Sequence, residues 1–344
     1  MDAERGTILV IGGAGYIGAH VALALSECGH RPVVYDDLST GHAGFVRWGL
    51  LERGDVRDAA RLEAAIREHR PAAIVNLAAE IEVGRSVRDP NPFYASIAGG
   101  AVALVEAARR TGIRALVMSS SCAVYGTPEA LPIAEGHPCR PESPYGRAKL
   151  MAETILSDAA AYGIRSMRLR YFNAAGADPE GRLGEAHEPE THLIPLAIAA
   201  AAGTGGSVRV NGTDHPTRDG TCVRDYVHVS DLARAHVLAV EHLVRGGDGG
   251  AVNLGSGQGV SVAEILKAVG AAAGRPVPHE TGPARPGDPA ELVADPTRAA
   301  ALLGWTARHG LDEIVRSAMR WHGREARHAA ADPAPEAWEA VSNG

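Results

Sequence analysis

Tyr145 and Lys149 stand four positions apart in a run with helical spacing, so their side chains share one face. An ammonium beside a phenol stabilises the phenolate and lowers its pKa. A phenol so tuned can act as general base and general acid near neutral pH. Ser121 closes the run Ser119-Ser120-Ser121 behind an apolar stretch. Its hydroxyl could hydrogen-bond the same oxygen as Tyr145. A second group suits an anion. Gly12-Gly13-Ala14-Gly15-Tyr16-Ile17-Gly18 lies between an apolar run and a helical one. Gly12 and Gly15 permit a tight turn and close backbone approach to a pyrophosphate, and Gly18 lets the helix pack near a sheet. The helix N-terminus adds free N–H groups and a positive dipole end. Glycines alone are a weak signal, and the flanking strand and helix give them meaning. Asp36 follows Gly18 by 18 positions. A carboxylate there suits two ribose hydroxyls and repels a 2′-phosphate, which favours NAD over NADP. The plainer reading is that Asp36 or Asp37 caps a turn. Asp55-Val56, after the next short strand, could set a carboxylate near an adenine amino group.

These residues need a frame that brings strand ends together. Apolar runs predict strands at 7–11, 32–35, 73–77 and 115–118, and a further strand is expected at 166–170. Helical spacing predicts helices over 16–28, 58–69, 91–110 and 145–162. Strands alternating with helices of this length imply right-handed βαβ units and a parallel sheet covered on both faces. Ligands of such sheets bind beyond the carboxyl ends of the strands. The second half is less regular. Residues 176–192 read as a polar loop and 192–202 as a helix. Residues 207–219 read as a strand and turn. Helices over 230–244 and 261–273 are each expected to open on an N-cap serine. A final helix is expected over 311–321. The expected class is a Rossmann-type, doubly wound α/β sheet with a smaller α/β substrate domain. Residues 1–175 would form the cofactor domain, rejoined by segments near 220–260. Residues 176–323 would form the second domain, and 324–344 a mobile tail.

Composition narrows the class. The 344-residue chain is 45% hydrophobic and 22% charged, within the globular range. A net charge of -7 argues against a partner held through many phosphates, so no nucleic acid is expected. Cys28, Cys122, Cys139 and Cys222 lie far apart, without the spacing of a disulfide framework or a zinc site. No metal is expected. Neither a signal peptide nor a run of about 20 apolar residues is present, so no membrane partner is expected and a cytoplasmic setting is the default.

The glycine turn, Ser121 and Tyr145-x-x-x-Lys149 resemble the extended short-chain dehydrogenase/reductase family. Further blocks resemble, within it, the UDP-glucose (galactose) 4-epimerases. They are Tyr171-Phe172-Asn173-Ala174-Ala175-Gly176, Thr191-His192-Leu193-Ile194-Pro195 and the stretch from Asp219 through Arg224-Asp225-Tyr226 to Val229. Arg285-Pro286-Gly287-Asp288 and Leu303-Gly304-Trp305 complete them. The resemblance runs from about Ile8 to Trp321. It implies a bound NAD restored in each cycle. Tyr145 would take the proton from the sugar 4-hydroxyl, hydride would pass from C4 to the nicotinamide, and the 4-keto sugar would turn over before both return. Ser121 would orient O4, and Lys149 would also hold the nicotinamide ribose. NAD would further meet Tyr16, Ile17, Asp37, Val56, Leu77, Ala78, Ala79, Ser96, Ser119 and Tyr171. The UDP-sugar would meet Asn173, His192, Leu193, Arg224, Arg285 and Asp288, the arginines at its diphosphate. A homodimer is implied, pairing through a helix such as 95–110 or 145–162.

Some positions depart from the family pattern. Glu80-Ile81-Glu82 stands where many members place a lysine close to the NAD phosphates. Ser96 replaces a supporting asparagine. Leu292 stands where some members have a bulky tyrosine. These leave open a 4-epimerase of another UDP-sugar, such as an N-acetylhexosamine, uronate or pentose, and a weakly active or non-catalytic NAD-binding homologue. Cys122 and Ala123 fill the places where 4,6-dehydratases carry an acidic pair, which disfavours dehydration.

Overall fold

The computed structural model describes residues 6–285 and 288–328, with side chains described as far as Gly323. Six strands arise in the first half: β1 Thr7–Ile11, β2 Arg31–Asp36, β3 Leu50–Arg53, β4 Ala73–Asn76, β5 Ala115–Ser121 and β6 Arg165–Tyr171. The later strands are β7 Asn173–Ala175, β8 Val208–Asn211, β9 Val223–His228, β10 Gly250–Leu254, β11 Gly259–Ser261, β12 His279–Gly282 and β13 Glu291–Leu292. Seven of them form one parallel sheet in the order β10-β6-β5-β4-β1-β2-β3. The strand order reverses between β1 and β4, the switch point at which such sheets bind ligands.

The apolar strands are covered on both faces because their side chains alternate. Ile8, Val10, Val75, Val117, Leu169 and Val252 face one core, shared with Leu232, Val240 and Leu243 of the helix Val229–Val244. Leu9, Ile11, Ile74, Leu116 and Met118 face the other, with Leu62, Ile66, Leu104 and Leu156. A third core joins Ile194 and Ile198 of the helix Leu193–Ala202 to Ile265, Val269, Ile314 and Val315. Small sheets around β9 and β8 flank it: β9 pairs with β7, β11 and β13, and β12 pairs with β8.

Several expectations are corrected. The helix expected over 91–110 is three segments, Asn91–Phe93, a π-helical turn Tyr94–Gly99 and Gly100–Thr111. Ser230 does not cap its helix; His228 stands at that position and its Nδ1 accepts from the Ser230 N–H. Ser261 does cap its helix, in a capping box with Glu264. The last helix runs Leu311–His328, past the expected end at residue 321. The remainder of the expected tail, 329–344, lies outside the described residues, as do Pro286 and Gly287. No helix among the described residues is long and apolar enough to cross a membrane.

Candidate active site

A cleft of about 760 Å³ opens at the carboxyl ends of β1, β4 and β5. Its floor is the glycine turn. Gly12 has φ +75°, and a Cβ there would lie 2.6 Å from Ala78 N. A Cβ on Gly18 would lie 2.1 Å from Gly12 O. These two glycines let the turn, the helix Tyr16–Glu27 and the Leu77–Ala78 backbone close on one another. Gly15 differs: a Cβ there would meet only Gly12 O, at 3.6 Å, and would fill cleft space. The turn is thus a backbone cradle with open room above Gly15, which fits a pyrophosphate. The Tyr16 hydroxyl donates to Gly176 O at 2.6 Å, tying this helix to the second half of the chain. Ile17 lines the cleft and packs against the core.

Acidic side chains follow on the β2 and β3 side. Buried Asp36 accepts from Ala14 N and Leu38 N, each at 2.9 Å. Burial raises its carboxyl, and these two N–H groups oppose the rise. Each oxygen keeps a second lone pair for a ribose hydroxyl. Asp37 accepts from Ser39 N and Oγ, so turn capping accounts for its position. Asp55 is held low by Arg57, whose Nε reaches both carboxylate oxygens at 2.9 Å. Val56, Leu77, Ala78 and Ala79 complete this wall. Ser96 lies on the π-helical turn and accepts from Glu80 N at 3.4 Å. The stretch without a lysine does offer a cation: Arg85 lines the cleft, paired with Glu80 at 3.0 Å.

Ser121, Tyr145 and Lys149 converge at the opposite wall. The helix Pro144–Asp158, capped by Ser143, presents Tyr145 and Lys149 one turn apart. Lys149 Nζ donates to Ser119 O at 2.9 Å and to Ser119 Oγ at 3.0 Å, and it lies 5.7 Å from the Tyr145 ring centre. The expected lowering of the phenol pKa by Lys149 does not appear in the protein alone. Burial pushes Tyr145 up to about 12, with the Ser121 hydroxyl pulling it back. Burial also pushes Lys149 down to about 8, opposed by Glu153. The physical reason is that the ammonium is spent on Ser119 while low dielectric penalises both charged forms.

Tyr171 lines the cleft, but its hydroxyl meets His236 Nε2 at 2.5 Å. Neighbouring Phe172 also lines the cleft. Asn173 sits on β7 opposite Tyr226, and Arg224 lies two residues before Tyr226 on β9. The Arg224 guanidinium pairs with Asp288, and Arg285 faces the side-chain amide of Asn211. Arg224, Arg285 and Asp288 lie outside the cleft lining and all act on the Cys222 thiol. His192 lines the cleft, whereas Leu193 packs on the third core. His192 is pushed up to about 10 by Glu185 and Glu190 against the opposing effect of burial, and Glu185 is held near 2 by His187 and His192. Phe172, Arg85, Glu185 and His187 were not singled out from sequence. Phe172 stood inside a quoted block; the other three lie in segments without periodicity.

An open parallel sheet with a backbone cradle at its switch point, faced by a serine, tyrosine and lysine, defines a dinucleotide-dependent enzyme of the short-chain dehydrogenase/reductase kind. The chain belongs to the NAD dependent epimerase/dehydratase family, whose model matches residues 8–255. It is 53% identical over 323 residues to a UDP-glucose 4-epimerase of Rhizobium leguminosarum bv. trifolii, covering 94% of this chain and 99% of that one. It is similar in structure to the UDP-glucose 4-epimerase of Brucella ovis in complex with NAD, with TM-score 0.90 and 51% identity over 92% of this chain and 98% of that one. The enzyme of Stenotrophomonas maltophila, solved with NAD and formylated UDP-arabinopyranose, gives TM-score 0.91 and 39% identity over 94% and 99%.

Proposed function

We propose that the protein is an NAD-dependent 4-epimerase that interconverts UDP-galactose and UDP-glucose. The observation that carries this reading is the convergence of Ser121, Tyr145 and Lys149 on the cleft that the glycine cradle floors. The near-full-length likeness to UDP-glucose 4-epimerases supports the same reading. NAD fits the residues present: the Gly12–Gly18 cradle for its pyrophosphate and Asp36 for its adenosine ribose. When bound, NAD supplies a hydride acceptor beside the sugar and a positive charge beside the phenol. Tyr145 takes the proton of the sugar 4-hydroxyl and later returns it. Ser121 orients O4. Lys149, anchored on Ser119, orients the nicotinamide ribose and favours the phenolate once charge enters the cleft. Asn173, His192, Leu193, Arg224, Arg285 and Asp288 hold the nucleotide end, so the sugar alone is free to turn.

In this reading residues 1–175 serve the cofactor, with the helix Val229–Val244 and β10 rejoining them, and 176–323 serve the UDP-sugar. The partner of the chain is a second copy. Val102 and Met151, 56% and 48% exposed on adjacent helices, support a pairing face there. The four cysteines are free thiols, which suits a reducing cytoplasm. The test is incubation of NAD-loaded protein with UDP-galactose and readout of UDP-glucose; absence of conversion overturns the reading. A panel with N-acetylhexosamine, uronate and pentose UDP-sugars ranks the substrates. Sedimentation velocity is expected to give a dimer, weakened by Val102→Glu.

A further inference from the structure

We infer that Glu185, His187, Glu190 and His192 form a site for one divalent transition-metal ion of the zinc class on the cleft wall. Cysteine spacing predicts no metal; the donors here are histidines and glutamates instead. The four residues fall within eight positions, in the loop before the helix Leu193–Ala202. Each offers one nitrogen or carboxylate oxygen, and these atoms all lie within 4.8 Å of one another. His192 Nδ1 is 2.8 Å from Glu185 Oε1 and 3.0 Å from Glu190 Oε1. His187 Nδ1 is 3.1 Å from Glu185 Oε1 and 3.9 Å from Glu190 Oε2. Bonds of about 2.0–2.2 Å set neighbouring donors roughly 3.3 Å apart around a tetrahedral ion. The four donors therefore need only small movements to share one centre.

The chemistry of the set favours an ion over a purely hydrogen-bonded cluster. Glu190 Oε1 already accepts from Thr191 N at 2.7 Å and His192 N at 2.8 Å. His192 Nδ1 is aimed at that oxygen and at Glu185 as well, and one N–H serves two acceptors poorly. Glu185 Oε1 takes the second imidazole too. A cation satisfies all the inward-facing atoms at once. Glu185 is buried, and among the described residues no Arg or Lys pairs with it or with Glu190. Ligation displaces the ring protons of the two imidazoles, and the divalent ion then cancels the charge of the two carboxylates. Two imidazoles select a zinc-class ion over magnesium or calcium, which take oxygen donors. The backbone is anchored around the site: His42 Nε2 meets Ala186 O at 2.6 Å, and Trp321 Nε1 donates to Glu185 O at 2.9 Å. The His187 ring packs edge-on to Tyr16. Coordination through Nδ1 leaves Nε2 of each imidazole available to other partners.

The test uses the full chain without an affinity tag, NAD-loaded and stripped of metal by a chelator. Zn(II) alone is titrated against a chromophoric indicator, and Co(II) is followed by visible absorption. One equivalent is expected to bind with submicromolar Kd, and Co(II) to give a tetrahedral d–d band. In Glu185→Gln and His187→Ala, affinity is expected to fall at least about 100-fold, since even supporting residues of metal sites are worth 10–100-fold. Circular dichroism checks that each variant folds, and His187→Ala decides alone if Glu185→Gln does not. The inference is overturned if no one-equivalent binding appears. It is overturned equally if binding is unchanged in the variants, which would assign the ion to others of the 15 histidines.

Discussion

At the scale of single residues, burial governs Tyr145 and Lys149, the pair proposed to serve the proton transfer. Tyr145 rises to about 12 and Lys149 falls to about 8 for the same reason, loss of water around the charged form. The spacing of the pair was legible in sequence because a helix repeats every 3.6 residues, and the structure keeps both on one face. The proton balance was not legible, because it depends on Ser119 catching the ammonium and on walls supplied by distant strands. Tyr145→Phe removes the hydroxyl proposed to exchange the O4 proton. Turnover of UDP-galactose is expected to drop at least about 100-fold with an unchanged circular dichroism spectrum. Near-normal turnover in that variant would take the base assignment away from Tyr145.

At the scale of elements, β1, β2, β4 and β5 were legible because parallel strands buried on both faces read as apolar runs, whereas β6, with Arg168 and Arg170, does not read as one. β9 was not read as a strand. It contains Arg224 and Asp225, and Asp225 is fully buried with its oxygens accepting from Ser256, Gly257 and Ala294. Those acceptances are tertiary, so no local pattern announces them. The π-helical turn at Ser96 was likewise hidden, since helical spacing over 91–110 looks continuous. Such turns often accompany functional sites, and this one faces the cleft. The glycine turn, by contrast, was both legible and sterically enforced. Gly18→Ala sets a methyl against the Gly12 carbonyl. It is expected to cost roughly 1–3 kcal/mol and to lower the NAD retained on purification. Thermal melting and the cofactor-to-protein ratio measure the two effects, and wild-type values for both would contradict the packing argument.

At the scale of the whole molecule, buried neutral histidines tie stability to pH. Burial lowers His236 to about 4 and, with His309, lowers His228 to about 3, against about 6.5 in an unfolded chain. Between those values the unfolded state binds a proton that the fold declines. The contribution of these two histidines is therefore complete above about pH 6.5 and is lost as pH falls toward 4, by up to about 3 kcal/mol for His236. Melting temperatures are expected to fall between pH 7 and pH 5, and His236→Gln to flatten part of that slope. An equal slope in the variant would remove His236 from the account. The order of strands has a further consequence for how the chain is made. β6 is covered on its outer edge only by β10, more than seventy residues later. A chain emerging from the ribosome would carry the outer edge of β6 unpaired through that whole interval, a row of N–H and C=O groups open to another chain until β10 arrives.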